Sequence, residues 1–113
     1  MTTSLDEAFF ALSDPTRRGI LAQLARGEAT VNELVSQFAL TQPTISSHLK
    51  VLENAGLISR GRIGQSRPCR LQLQRLQEVD DWLELYRNLW NNRFDRLSDR
   101  LTKMQEDEND HDR

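Results

Sequence analysis

"TQPTISSHLKVLENAGLISRGRIGQSR", residues 41–67, sets a capped helix directly before an arginine-bearing hairpin, and the rest of the chain is read outward from it. Thr41 and Pro43 have the character of a helix start, and Gly56 is placed to end that helix in the left-handed conformation. Ile45, Leu49 and Leu52 recur at helical spacing and form an inward stripe. Gln42, Thr44, Ser46, Ser47, His48 and Lys50 fall largely on the other side, which is polar, short-chained and almost free of acids. Short hydroxyl side chains let a helix approach base edges closely and can donate to a phosphate or a base. "LISRGRIGQSRPCRLQL" follows, with two short runs around Gly64, Gln65 and Ser66 that predict a two-stranded hairpin. Arg60, Arg62, Arg67 and Arg70 bring positive charge, although strand alternation prevents all four from pointing one way. Pro68 limits the early pairing of the second strand and marks a sheet edge.

The local basicity stands out against the whole. The chain carries 15 basic and 17 acidic residues, a formal charge of -2. Residues 1–40 hold three bases and five acids, residues 41–75 six bases and one acid, and residues 76–113 six bases and eleven acids. A positive segment between negative ones is what a focused polyanion-binding surface produces, and on charge alone a stretch solvated for solubility fits equally well.

At 113 residues and 37% hydrophobic, the chain supports one domain with a real core and is too short for two. That domain is expected over residues 1–104. The remaining "QEDENDHDR", residues 105–113, is polar, acidic in balance and expected to be disordered. Neither a signal peptide nor a membrane span is supported, which points to the cytoplasm. A single cysteine, Cys69, can form no internal disulfide, and no CxxC pair exists to hold zinc.

Upstream, "SLDEAFFALSD" places Leu5, Ala8, Phe9 and Leu12 on one helical face, with Ser4 as cap and Glu7 three residues on. "DPTRRGILAQLARG" opens a second helix with Asp14 as cap and Pro15 in the first position, turns Ile20, Leu21 and Leu24 inward and closes at Gly27. Arg17 and Arg18, near its start, are placed either to touch phosphate or to pair with acids of a neighbouring helix. "TVNELVSQFAL" has Thr30 and Glu33 at capping-box spacing and an apolar stripe of Val31, Leu34, Val35 and Phe38. Downstream, Val79, Leu83, Tyr86, Trp90, Phe94 or Leu97, and Leu101 recur at three- and four-residue steps, with Trp82, Leu85 and Leu89 beside them. This predicts a helix from Leu76 to about Met104, roughly 40 Å long, more than the domain needs to cover its own core. Some of that apolar surface is expected to meet another chain. Asp80 and Asp81 are expected to favour the N-terminus of this helix through its dipole.

Helix, short helix, tight turn, capped helix and arginine-bearing hairpin together describe a winged helix-turn-helix, mainly α with a small β-hairpin, with a long C-terminal dimerisation helix. The chain resembles the ArsR/SmtB family of dimeric bacterial winged-helix repressors over nearly all of residues 4–104. "ALSDPTRRGILAQLARGEATVNELV", "LTQPTISSHLKVLENAGLISRGRIGQSR" and the long last helix carry the resemblance, and within the family the SdpR-like branch is the most similar. The resemblance implies a homodimer on double-stranded operator DNA, with Gln42, Thr44, Ser46, Ser47, His48 and Lys50 on the reading helix and Arg60, Arg62 and Arg67 on the wing. It likewise implies a dimer interface from the first and last helices, with Leu5, Phe9, Leu83, Tyr86, Trp90, Phe94 and Leu97.

Metal-responsive members of that family carry cysteines in the third helix, and this chain has Val35 and Gln37 at those places. A second metal site of the family pairs Asp with His across the terminal helices, yet no histidine lies between residues 76 and 104 beside Asp80 and Asp81. No metal or other cofactor is therefore expected, and no residue names an inducer. Cys69 is a candidate redox switch, with a thiol pKa expected to be somewhat lowered by Arg67 and Arg70, or else a small packing residue. Trp82, Tyr86 and Trp90 line a ligand pocket or pack in a dimer. No nucleophile, base and oxyanion site can be assembled, so an enzyme is not expected. A winged-helix module that binds a protein partner is the alternative.

Overall fold

The computed structural model describes residues 3–111 except 62–66, and of residues 94–95 and 106–111 only the backbone. Along the chain run α1 (Ser4–Leu12), α2 (Pro15–Leu24), α3 (Val31–Phe38), α4 (Gln42–Asn54), β1 (Ile58–Arg60), β2 (Cys69–Leu71) and α5 (Leu73–His111). The chain forms two compact units, Met1–Val79 and Asp80–Arg113. The first unit holds the buried core cluster, and the described residues of the second are helical.

The core of the first unit is built on α4. Ile45, Leu49 and Leu52 are fully buried there, joined by Ile20, Leu34 and Leu57 from α2, α3 and the approach to β1. The inward stripe of α4 is thus the one expected from its spacing. Gly19 allows α2 to come close to α3, since a Cβ in its place would lie 2.9 Å from the Phe38 ring. Of the face expected for α1, Ala8 is buried and Leu12 packs against the core, while Phe9 lies outside it. Ala8 and Ala11 are the buried residues of α1, whereas Leu5 is half-buried and Phe9 is 37% exposed. Small side chains on the inner face let α1 lie close to its neighbours, and the two phenylalanines, Phe9 and Phe10, are left outside.

Caps follow the sequence with one shift. Thr3, not Ser4, caps α1, in a box closed by Asp6, because the oxygen that accepts from the third helical amide must sit one residue before the helix. Asp14, Thr30 and Thr41 cap α2, α3 and α4 as expected. Gly56 takes φ 74°, the left-handed geometry that glycine adopts without strain. Ala39, after α3, adopts φ 53° with no such licence.

β1 and β2 pair antiparallel, with Ile58 opposite Leu71, Ser59 opposite Arg70 and Arg60 opposite Cys69. Pro68 lies directly before β2, outside the paired register, in keeping with the limit it was expected to set on early pairing. Its carbonyl accepts from the Gly61 amide at 2.9 Å, which needs no amide from proline. On its other edge Cys69 exchanges both backbone bonds with Ala29 in the α2–α3 connection, at 2.7 and 3.2 Å. The Gly64–Gln65–Ser66 turn lies outside the described residues.

In α5, helical backbone begins at Leu73 and continues to His111. "QEDENDH" contains neither proline nor glycine to stop a helix already under way. With the start at Leu73, Asp80 and Asp81 lie beyond the first turn, and the dipole role expected of them is not theirs. Asp80 pairs instead with Arg87, which also meets Glu84 at 2.8 Å. These carboxylates raise the Arg87 pKa above its ordinary value. No helix among the described residues is long and apolar enough to cross a membrane.

Candidate nucleic-acid interface

The outer face of α4 gathers the polar side chains singled out from the sequence. Gln42, Thr44, Ser47 and Lys50 are exposed, and Ser46 and His48 are half-buried. Thr44 is partly occupied with structure: its Oγ1 lies 2.8 Å from Thr41 Oγ1, and its amide donates to that same oxygen at 3.4 Å. The hydroxyl can rotate between the cap and an outside acceptor, so the capping role does not consume it. Within the wing, Arg67 is exposed, and Arg62 lies outside the described residues. Arg70 is drawn to Glu28 at 2.5 Å, an exposed pair that leaves it partly neutralised.

Arg60 and Cys69 differ most from expectation. Arg60 is half-buried, and its Nε is shielded from solvent with no hydrogen-bond partner among the described residues. Strand register explains this, since Arg60 lies opposite fully buried Cys69 and turns toward the core side of the hairpin. It is therefore poorly placed to serve as a free phosphate contact. Burial pushes the Cys69 thiol pKa up, and the nearby Arg60 charge offsets this only in part. The lowered pKa expected from flanking arginines is corrected: desolvation of a thiolate outweighs cations that sit nearer water.

His48 also sits deeper than an outward-facing reader would. Its Nδ1 is 3.4 Å from Arg17 Nη1 and 3.9 Å from Asp14 Oδ2, with 19% of the side chain exposed. Neither role weighed for Arg17 from the sequence is the one observed. Only 9% exposed, Arg17 donates from Nε to the Ala11 carbonyl at 2.7 Å and from Nη2 to the Phe10 carbonyl at 3.0 Å. Its guanidinium carbon also lies 5.3 Å from the centre of the Phe10 ring. Arg18 repeats the pattern, with Nη1 2.7 Å from the Leu12 carbonyl. The last carbonyls of a helix need donors, and α1 has no basic residue in its own last turn. Ser13 meets part of that need, its amide and hydroxyl both donating to the Phe10 carbonyl, and the two arginines that follow in the sequence supply the rest. Asp14 completes the group. Its Oδ2 accepts from the Arg17 amide at 3.0 Å, and this bond holds the carboxyl pKa below its ordinary value, with His48 and Arg17 adding to the effect.

On α5, Leu83, Tyr86, Trp90 and Leu97 are exposed, as are Trp82, Leu85 and Leu89. The Trp82 and Tyr86 rings meet at 5.1 Å and 55°, an arrangement between two turns of one helix. The Phe94 side chain lies outside the described residues. No group of three or more His, Cys, Asp or Glu able to hold a metal ion occurs among the described residues.

A family model described as "Bacterial regulatory protein, arsR family" matches residues 14–60. The transcriptional repressor SdpR of Bacillus subtilis is 38% identical over 79 residues, 70% of this chain and 88% of that protein. A crystal structure of an ArsR family transcriptional regulator superposes with a TM-score of 0.72 at 37% identity, covering 79% of this chain and 98% of that one. The homodimeric winged helix-turn-helix DNA-binding domain of a possible ArsR-family regulator from Mycobacterium bovis superposes with a TM-score of 0.59 at 26% identity, covering 74% and 83%.

Proposed function

Since the chain belongs to the arsR family of bacterial regulatory proteins, a family of transcriptional regulators and not of enzymes, we propose that it is a homodimeric repressor acting on an inverted-repeat operator in the cytoplasm. The observation that carries this reading is the outer face of α4, exposed and almost free of acids in a chain that is acidic overall. Gln42, Thr44, Ser46, Ser47 and His48 would meet base edges in a major groove, while Lys50, Arg67 and Arg62 would meet phosphates. Arg60 would contribute charge from the wing root more than direct contact.

An inverted repeat follows from two-fold symmetry, with half-sites about one helical turn apart, roughly 34 Å, or a modest multiple of it. Leu5 and Phe9 of α1 and Leu83, Tyr86, Trp90, Phe94 and Leu97 of α5 would supply the apolar contact between copies. Exposed Tyr86 and Trp90 support this, because contiguous exposed aromatics on a helix mark an association surface. The targets would include the promoter of its own gene.

A nuclease footprint on DNA upstream of that gene, near physiological salt and with chelator present, tests the reading. A protected pseudo-palindrome is expected, together with sedimentation as a dimer at micromolar concentration. No protected site there or in duplexes selected from random sequence would overturn it and favour a protein partner for α4.

A further inference from the structure

The Arg17 side chain is fixed before it reaches His48. Two of its three guanidinium nitrogens are committed to the α1 carbonyls of Ala11 and Phe10, and the third, Nη1, is left facing His48 Nδ1 at 3.4 Å. A guanidinium only donates, so the ring atom that meets it must offer a lone pair. Asp14 does not reverse this. Its Oδ2 is 3.9 Å from Nδ1, beyond hydrogen-bond reach, and already accepts from the Arg17 amide. A proton on Nδ1 would face a held positive charge at close range.

We propose that Arg17 holds neutral His48 as the tautomer protonated at Nε2, so that the reading helix presents His48 to DNA as a hydrogen-bond donor only. The matching group on DNA is an acceptor: a purine N7, a guanine O6 or a phosphate oxygen. Donor groups on the base edge, the amino groups of adenine and cytosine, are disfavoured at that position. Arg17 is thus a positioning residue for base selection, and its anchorage on α1 fixes the chemistry of a side chain on α4. The acceptor assignment rests on the DNA-binding reading above. The tautomer does not.

Long-range proton–nitrogen spectra of the full chain labelled with 15N-histidine, in a His111→Gln background that leaves His48 alone, report the tautomer directly. The expected spectrum above neutral pH shows an unprotonated Nδ1 and a protonated Nε2, with Nδ1 protonation rising in Arg17→Met, where the Asp14 carboxylate remains beside Nδ1. A protonated Nδ1 in the parent, or an unchanged ratio in a folded Arg17→Met, overturns the role of Arg17. Should that variant not fold, His48→Gln and His48→Asn decide, because their amide nitrogens stand near Nε2 and Nδ1 respectively. On duplexes selected by the parent protein, the Gln variant should keep affinity within a few-fold, and the Asn variant should lose about five- to tenfold. The reverse order overturns the proposal.

Scanning the selected duplex with 7-deazapurines, with 2-aminopurine in place of guanine to remove O6, and with methylphosphonates then separates base from phosphate. One substitution per half-site should weaken the parent and leave His48→Ala indifferent. If no substitution couples to His48, or no duplex is selected at all, the acceptor assignment falls, while the tautomer result still judges Arg17.

Discussion

Arg17 of α2 donates from Nε to the carbonyl of Ala11 in α1 at 2.7 Å, so the end of one helix is closed by the start of the next. Removing the side chain takes a buried donor from the Ala11 carbonyl and leaves space around it, while the Phe10 carbonyl keeps its bonds from the Ser13 amide and hydroxyl. Arg17→Ala should destabilise the fold by about 2–4 kcal/mol, read as a lowered urea midpoint at unchanged slope. Arg17→Lys should recover less than half, because one ammonium cannot span both carbonyls in the fork geometry.

Ala39 and Gly56 form a natural pair of opposites. Ala39 holds φ 53° with a Cβ, and Gly56 holds φ 74° without one. Ala39→Gly should raise stability by about 0.5–1 kcal/mol, the strain relieved less the added chain entropy. Gly56→Ala should lower it by at least about 1 kcal/mol, since the new Cβ would also lie 3.0 Å from Arg75 Nε. Thermal unfolding of both variants should therefore move in opposite directions.

Acid should reveal the Asp14 cap. Its carboxyl pKa is depressed in the folded chain, chiefly by the bond from the Arg17 amide. The unfolded chain thus binds this proton first, and the stabilisation is complete above the unfolded value near 3.8 and lost as pH falls through the folded one. Asp14→Asn should be less stable than the parent at neutral pH, and the gap should close toward strongly acidic pH. A gap that stays constant in pH-dependent denaturation would show that the carboxylate charge contributes nothing.

Cys69 should behave as a packing residue. A fully buried thiol with a raised pKa should react with alkylating agents at the rate of unfolding, not in proportion to reagent. Cys69→Ser should destabilise by about 1–3 kcal/mol through the buried hydroxyl. Oxidant that released DNA from the parent but not from this variant would restore the switch reading.

Arg67→Ala should weaken binding to all duplexes about equally and reduce the steepness of log K against log salt by about one charge. Ser47→Ala should instead alter the ranking of duplexes with little change in salt slope. Exchange of these two behaviours would reverse the assignments of helix and wing.

Much of this architecture was legible in the order of residues. The caps at Asp14, Thr30 and Thr41, the inward stripe of α4 and the left-handed Gly56 are local features, each written within a few positions. The Arg17 bonds to α1 and its contact with His48 are not local. They depend on how α1, α2 and α4 meet, and a sequence shows only that arginine follows a proline-started helix. Burial of Arg60 and Cys69 was hidden for a similar reason. Charge counts describe a segment, whereas strand register and the bond to Ala29 decide which way each side chain turns. The exposed face of α4 was legible as a face, but the half-burial of Ser46 and His48 on it was not.

The double backbone bond between Cys69 and Ala29 fastens the root of the wing to the segment leading into α3, while Gly61 and Pro68 close the hairpin above that root. Amides of the root should consequently exchange with solvent only when the whole winged body opens, making the wing base as durable as the core. Chain inserted between Gly61 and Pro68 is insulated from the reading helix by that fastening. Changes of length or charge at residues 62–66 should therefore leave the alignment of α4 undisturbed.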